Sequence, residues 1–323
     1  MVCCIGSLGK IGIAGRPVVT NQQINSIEFD RKKIWPKYGY YACKRLKSTL
    51  ISMAPATTIA IISKSKFGRL QIPVPSLAEQ RRIAAILDQA DSLRVMRQKA
   101  LTQLDSLTQS IFDEMFGNPA TNPKAWPRLT LEELMDEKGP QNGLYKPSTD
   151  YGNGTPILRI DAFYDGAVTK LNSLKRVRLS AAELKLYGLN ADDIVINRVN
   201  SIEYLGKSAL IPRLSEPTVF ESNMMRFSVK RDLAEPAYIV QFLQTKFLKS
   251  QILTCSKNAV NQSSINQQDV KTFQINVPPV TLQETFAAHC TAVESVKATH
   301  RAAMAHLDAL FASLQHRAFR GEL

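Results

Sequence analysis

The chain has 323 residues, 44% of them hydrophobic, which is ordinary globular composition and enough for two domains or for one domain plus long helices. Its 41 Lys and Arg against 28 Asp and Glu leave a net charge of +13, which points to a polyanionic partner, most often nucleic acid, with a merely basic protein as the alternative. No apolar run reaches the length of a membrane span, and the opening MVCCIGSLGKIGIAG lacks the charged leader of a secretory signal, so both classes are excluded and the expected location is cytoplasmic.

Residues 1–75 read as the later part of a mixed α/β domain, because they repeat a stretch found further along. GSLGKIGIA parallels EYLGKSALI, and SKSKFGRLQIPVP parallels INQQDVKTFQINVP, which sets Gly9-Lys10 on Gly206-Lys207 and Asn21 near Asn223. With the beginning of that domain absent from the first copy, its apolar residues Ile11, Ile13, Val18 and Ile24 are expected to be incompletely covered. Cys3, Cys4, Cys43, Cys255 and Cys290 form neither a CxxC pair nor a Cys/His zinc spacing, and read as thiols in a reducing compartment.

Ser76-x-x-Glu79 is a capping box and predicts a helix over 76–117. Its seam steps by three and four through Ile83, Ile86, Ala90, Leu93, Arg97, Ala100, Leu104, Leu107 and Ile111, the coiled-coil period. FGNPATNPKAWP stops it, with Gly117 at the end and Pro119 and Pro123 forbidding resumption.

Residues 118–280 predict a complete α+β domain. TPILRIDAF, ADDIVINR and SALIPRL read as strands, and AYIVQFLQTKFLKSQIL has helical spacing. KRVR at 175–178 is either a phosphate-binding stripe or a solvated strand edge. Thr281-x-x-Glu284 then opens a second helix over 281–323, and adding 203 to each seam position of the first gives Phe286, His289, Val293, Val296, His300, Ala303, Leu307, Leu310 and Leu314. Two such helices pair antiparallel, and Leu104 and Leu307 are expected in their seam. His289 and His300 are eleven apart rather than four, and read as polar seam residues rather than metal ligands.

Four stretches carry a resemblance to a known family: IPVPSLAEQRRIAAILDQADSL, LDSLTQSIFDEMFGNP, LNADDIVINR and LDALFASLQHRAFRGEL. On these the chain resembles the specificity subunit of Type I restriction-modification systems, with target recognition domains alternating with conserved long helices and the first recognition domain truncated. The resemblance implies a mixed α/β recognition fold joined by two long antiparallel coiled-coil helices. It also implies a non-catalytic reader of double-stranded DNA, with no cofactor and no metal. Methyltransferase (modification) subunits would dock on the helices and a motor-nuclease (restriction) subunit would join the complex. No membrane is involved, and pairing of two copies as a homodimer is left open.

The residues agree with the absence of catalysis. GSLGK lacks the spacing of a phosphate-binding loop, NVPP at Asn276 departs from the Asn-Pro-Pro-aromatic methyltransferase motif, and ELK at Glu183 reads as a helix face rather than a nuclease site. Base edges are read by Arg on guanine and Asn or Gln on adenine, while Lys and Arg neutralise phosphates. Polar stretches at 142–154, 197–207 and 255–268 offer those types. The candidates for bases are Arg198, Asn200, Asn261 and Gln262, and for phosphates Lys146, Lys207 and Lys257; Tyr145 is a stacking candidate, and Asn223 joins them as a further DNA contact. Two other classes stay open: an autonomous DNA-modifying enzyme, and a regulatory remnant that binds partner subunits through its helices but reads only one half-site.

Overall fold

The computed structural model describes residues 1–54, 60–258 and 262–323. Two compact units emerge: unit 1 is Met1–Gln103 with Lys297–Leu323, and unit 2 is Leu104–Val296. Each unit therefore takes one globular part and a portion of both long helices, so the compact boundaries do not fall where the helices begin.

Unit 1 starts with β1 (Val2–Cys3) and β2 (Ile24–Asn25), which pair antiparallel, followed by α1 (Pro36–Arg45), α2 (Lys47–Met53), α3 (Lys64–Gly68) and the first long helix, α4 (Leu77–Phe116). Unit 2 opens with β3 (Arg128–Thr130), α5 (Leu131–Leu134), β4 (Gln141–Asn142), β5 (Tyr151–Leu158), β6 (Phe163–Tyr164), β7 (Gly166–Val168), β8 (Lys175–Val177) and α6 (Ala181–Tyr187). Then come β9 (Ile194–Asn197), β10 (Val199–Asn200), β11 (Ser208–Leu210), β12 (Val219–Phe220), β13 (Met224–Phe227), α7 (Pro236–Leu243) and α8 (Lys246–Cys255). The unit closes with β14 (Lys257–Asn258), β15 (Ser263–Ser264), α9 (Gln267–Lys271), β16 (Gln274–Asn276) and the start of the second long helix, α10 (Val280–Ala318). Its strands order as β4-β13-β9-β11-β7-β6, β12-β5-β8, β10-β15-β14 and β16-β3. This is the expected α+β class.

The repeat seen in the sequence is a repeat of hydrogen bonds. In unit 1 the Cys3 amide donates to Lys10 O, the Cys4 amide to Gln23 O and the Ile62 amide to Cys4 O; in unit 2 the Asn197 amide donates to Lys207 O, the Arg198 amide to Asn223 O and the Ile265 amide to Arg198 O. Gly9 and Gly206 hold the same left-handed turn, at φ +72° and +77°. A side chain there would also collide, with Lys47 in one copy and Ile252 in the other. Gln23, not Asn21, is thus the counterpart of Asn223.

Each long helix is tied to its globular part by one buried glutamine. Gln80 accepts from the Trp35 amide at 2.8 Å and donates to Lys33 O and Pro75 O; Gln283, its repeat mate, accepts from the Glu235 amide at 2.9 Å and donates to Leu233 O and Pro278 O. Beside them Tyr38 Oη donates to Pro73 O and Tyr238 Oη to Asn276 O. The expected capping boxes are only partly present. Ser76 Oγ accepts from the Glu79 amide, but the Glu79 carboxylate goes to Arg82, and Thr281 lies inside a helix that already begins at Val280.

The helices run antiparallel in both units. In unit 1 Arg94 binds Asp308 and Arg97 Nη1 lies 3.2 Å from His300 Nδ1; in unit 2 Phe112 and Phe116 pack edge-to-face with Phe286. The seam differs from the expected one at most of the alternate positions. Ile83, Ala90, Arg97, Leu104, Phe286, Val293, His300 and Leu307 face inward as read, but between them Leu87, Arg94, Thr108, Cys290, Lys297 and Phe311, each one later than expected, are the better covered, while Ala100 and Leu101, like Ala303 and Met304, are both half-buried. Leu93, Leu107, Val296 and Leu310 are consequently 40–48% exposed. His289 is exposed beside the seam as well.

Two measurements check this register. Leu87→Asp, at a fully buried position, should destabilise by at least about 3 kcal/mol, whereas Leu93→Asp should stay within about 0.5 kcal/mol of the parent in denaturant unfolding. Gln283→Ala strands a buried amide and two carbonyls, and should cost about 1–3 kcal/mol in the same assay.

Candidate nucleic-acid interface

The candidate residues of unit 2 fall into three places. The first is the small sheet β10-β15-β14, where Asn200 pairs with Ser263 and Lys257 with Ser264. Asn200 Oδ1 accepts from the Ser201 amide at 2.8 Å, Lys257 is exposed on the adjoining β14, and Gln262 is exposed just before β15. Asn261 lies outside the described residues. Arg198, between β9 and β10, donates from Nη1 to Ser222 O at 3.2 Å, and its Nε is buried with no hydrogen-bond partner among the described residues.

The second place is a cleft of about 530 Å³ that brings together Tyr145, Lys146 and Asn223 with Tyr151, Arg159, Lys175 and Glu221. Tyr145 is 77% exposed at its rim, which suits a stacking group. Lys146 is committed: its Nζ binds Glu183 at 2.8 Å and approaches Asp150 at 3.7 Å. Glu183 is also the carboxylate of a complete capping box with Ser180 at the start of α6. This structural role accounts for the ELK tripeptide.

At the floor of the cleft Glu221 is buried, accepts from the Ile160 amide at 2.7 Å and has Arg159 at 3.7 Å; burial pushes its carboxyl up. Of the KRVR cations, all exposed, Arg176 is paired with Glu216 and Arg178 donates to Thr149 O, while Lys175 lines the cleft. Arg159, Tyr151 and Glu221 were not among the sequence candidates. Arg159 sits in an apolar strand run, and nothing in the pattern distinguishes Glu221 from a solvated acid.

The third place holds Lys207 alone among the candidates. Its Nζ donates to Ile160 O at 2.6 Å and lies 3.9 Å from the Tyr164 ring centroid and 4.7 Å from that of Phe163. Burial lowers its pKa. This lysine serves as an internal strut more than as an outward cation. Asn276 is likewise internal, held by Arg128 and Pro119 O.

Lys146 and the capping bonds hold the Glu183 carboxyl down to about 2 from its ordinary 4.5. A carboxylate so depressed contributes stability above about pH 4.5 that is lost as pH falls through about 2. Carbon-13 NMR titration should place its midpoint near 2, and Lys146→Met should move that midpoint toward 4.5; an unmoved midpoint would remove Lys146 as the main cause.

Comparison with known proteins supplies the family. The Type I restriction modification DNA specificity domain model matches residues 1–104 and 123–301. The chain is 26% identical over 295 residues to the Type I restriction enzyme EcoKI specificity subunit of Escherichia coli (strain K12), covering 86% of this chain and 63% of that protein. It is 23% identical over 338 residues to the EcoBI specificity subunit of Escherichia coli, covering 95% and 70%. It thus spans under two thirds of the first relative's length. The crystal structure of the Type-I restriction-modification S subunit from M. genitalium has the same fold at TM-score 0.56 and 17% identity, over 98% of this chain and 82% of that one. A chain of a type I R-M system, solved for its complex assembly and conformational transition, matches at TM-score 0.55 and 20% identity, over 92% and 74%. With the family model spread over both copies of the repeat and over the start of both long helices, the chain belongs to the Type I restriction-modification DNA specificity family.

Proposed function

We propose that this chain is the DNA-reading, non-catalytic subunit of a Type I restriction-modification complex, and that unit 2 carries its reading surface. The observation that carries this is the convergence, on one small sheet and its neighbouring cleft, of an exposed aromatic, amide side chains and exposed cations: Tyr145, Asn200, Gln262, Lys175 and Lys257. Amides of this kind discriminate base edges, and the lysines set register on phosphates. Arg198 and Asn223 stand behind them and fix the strand from which Asn200 projects.

The complex would place methyltransferase subunits, and through them a restriction subunit, on the target. One feature of the helices suits two like subunits. Four of the exposed apolar residues are repeat mates, Leu93 with Val296 and Leu107 with Leu310, so each unit presents one such pair outside the seam: Leu93 and Leu310 in unit 1, Leu107 and Val296 in unit 2.

A second reading, in which the chain binds partners but recognises one half-site, is favoured by unit 1. The counterparts of Arg198 and Asn200 in the repeated frame are Cys4 and Gly6, which offer no base-edge or phosphate donor. On this account unit 2 reads alone.

Lys257→Ala should weaken binding about equally on specific and random duplexes and lower the salt slope by about one unit, measured by titration at several salt concentrations. Asn200→Ala should instead relax preference at one base pair, by about 1–3 kcal/mol. Equal losses on all DNA for both variants would reduce the sheet to an electrostatic surface.

A further inference from the structure

The chain's positive charge is spread unevenly over its repeat. Residues 1–75 hold 12 Lys and Arg against 2 Asp and Glu, a net +10 of the chain's +13, whereas residues 118–280 hold 20 against 16. Every one of those 12 cations except the half-buried Lys44 is exposed. Among the described residues only Lys37 and Lys44 of the 12 have an acidic partner, Asp88 and Asp91 of α4, so the field of the others is not cancelled locally.

The shared frame locates the excess position by position. Gln80 takes the Trp35 amide and Lys33 O as Gln283 takes the Glu235 amide and Leu233 O, so residues 31–33 stand for 231–233. Arg231 is answered by Asp192 and Glu235; Arg31 has no such partner, and Lys32 and Lys33 stand where unit 2 has Asp232 and Leu233. Ser63 caps α3 by accepting from the Lys66 amide as Asn266 caps α9 by accepting from the Asp269 amide, so Lys64 and Lys66 stand for Gln267 and Asp269. Cations in the first turn oppose the helix dipole, so these two lysines do not serve the stability of α3. They also lie near Lys10. The Cys3 amide donates to Lys10 O and the Ile62 amide to Cys4 O, which sets the segments carrying Lys10 and Lys64 on opposite sides of one strand, roughly 10 Å apart at the usual strand spacing. That is about one Debye length at moderate salt, so their potentials add.

We propose that residues 1–75 form a sequence-independent grip on the phosphate backbone of double-stranded DNA, centred on Lys10, Lys64 and Lys66. Exposed lysines neutralise phosphates without registering bases, and Cys4 and Gly6 occupy the positions from which Arg198 and Asn200 serve unit 2. The grip raises affinity for any duplex and leaves the choice of sequence to unit 2. The inference rests on the reading of this chain as a DNA binder, and its failure and the failure of base reading by unit 2 appear in different variants.

The test is titration of the 323-residue chain with a random-sequence duplex at several salt concentrations, with base preference measured alongside. The triple variant Lys10→Gln, Lys64→Gln, Lys66→Gln should bind at least about tenfold more weakly at about 0.1 M salt, with a salt slope smaller by about 2–3 units. The matching triple Lys→Arg variant should keep the parent's affinity and slope, because it keeps the charge. Base preference should be the same in the Gln triple as in the parent, whereas Asn200→Ala relaxes it and leaves the slope alone. A parent without base preference whose Gln triple still loses slope would keep the grip and sink unit 2 as the reader. The grip itself is overturned if the parent does not bind random duplex, if the Gln triple keeps its slope, if the Arg triple loses as much as the Gln triple, or if the Gln triple changes base preference. It is also overturned if the Gln triple binds DNA as the parent does but no longer captures methyltransferase subunits, which would assign these lysines to an acidic protein face.

Discussion

A glutamine side chain sealed from water at the first turn of each long helix is the constraint on which the rest of the structure depends. Gln80 and Gln283 each satisfy one amide and two carbonyls of the chain leading into their helix, so neither helix can leave its globular part in another direction without stranding three buried backbone groups. Each globular part also grips the far end of the other helix: Tyr38 packs on Phe319 at 5.3 Å in unit 1 and Tyr238 on Phe116 at 4.8 Å in unit 2. One helix start and the other helix end are thus held together in each unit, which makes the pair antiparallel. In unit 2 the same α7 that supplies Tyr238 packs on β11, next to the strands that display the candidate DNA contacts.

The long helices and their 203-residue repeat were legible because the periodicity and the flanking prolines survive in both copies. Their exact inner face was not. The pattern of apolar residues favours Leu93 and Leu107 over Arg94 and Thr108, yet Arg94 enters the seam by laying its guanidinium over the Phe311 ring at 4.7 Å while its charge is answered by Asp91 and Asp308. A long cationic side chain with an apolar stem can occupy a seam position that a hydrophobicity count assigns to its neighbour. The capping boxes misled for a related reason: the glutamine four residues after Ser76 makes a stronger set of bonds than the box, and the sequence pattern does not weigh one against the other.

The surroundings of the candidate residues were less legible than their types. The described candidates from 142–154, 197–207 and 255–268 fall on the small sheet and in the cleft, with Lys207 apart from both. Lys146 and Lys207 were natural phosphate candidates by charge alone, but one is answered by Glu183 and the other is enclosed by Tyr164 and Phe163, and such partners come from segments distant in sequence. Arg159 and Glu221 were hidden for the converse reason: they sit in or beside apolar strand runs that read as core, and only the pairing of β5, β8 and β12 brings them to the cleft beside Lys175.

The central claim is that unit 2 reads sequence and that unit 1, with Cys4 and Gly6 in the reading positions, does not. Selection of bound duplexes from a randomised pool by the chain assembled with methyltransferase subunits, followed by sequencing, tests it directly. The account predicts one contiguous block of fixed base pairs, whose base preference weakens at a single position when Asn200 is replaced by Ala. Enrichment of two blocks separated by a random spacer, or of no sequence at all by a complex that still binds DNA, would contradict it.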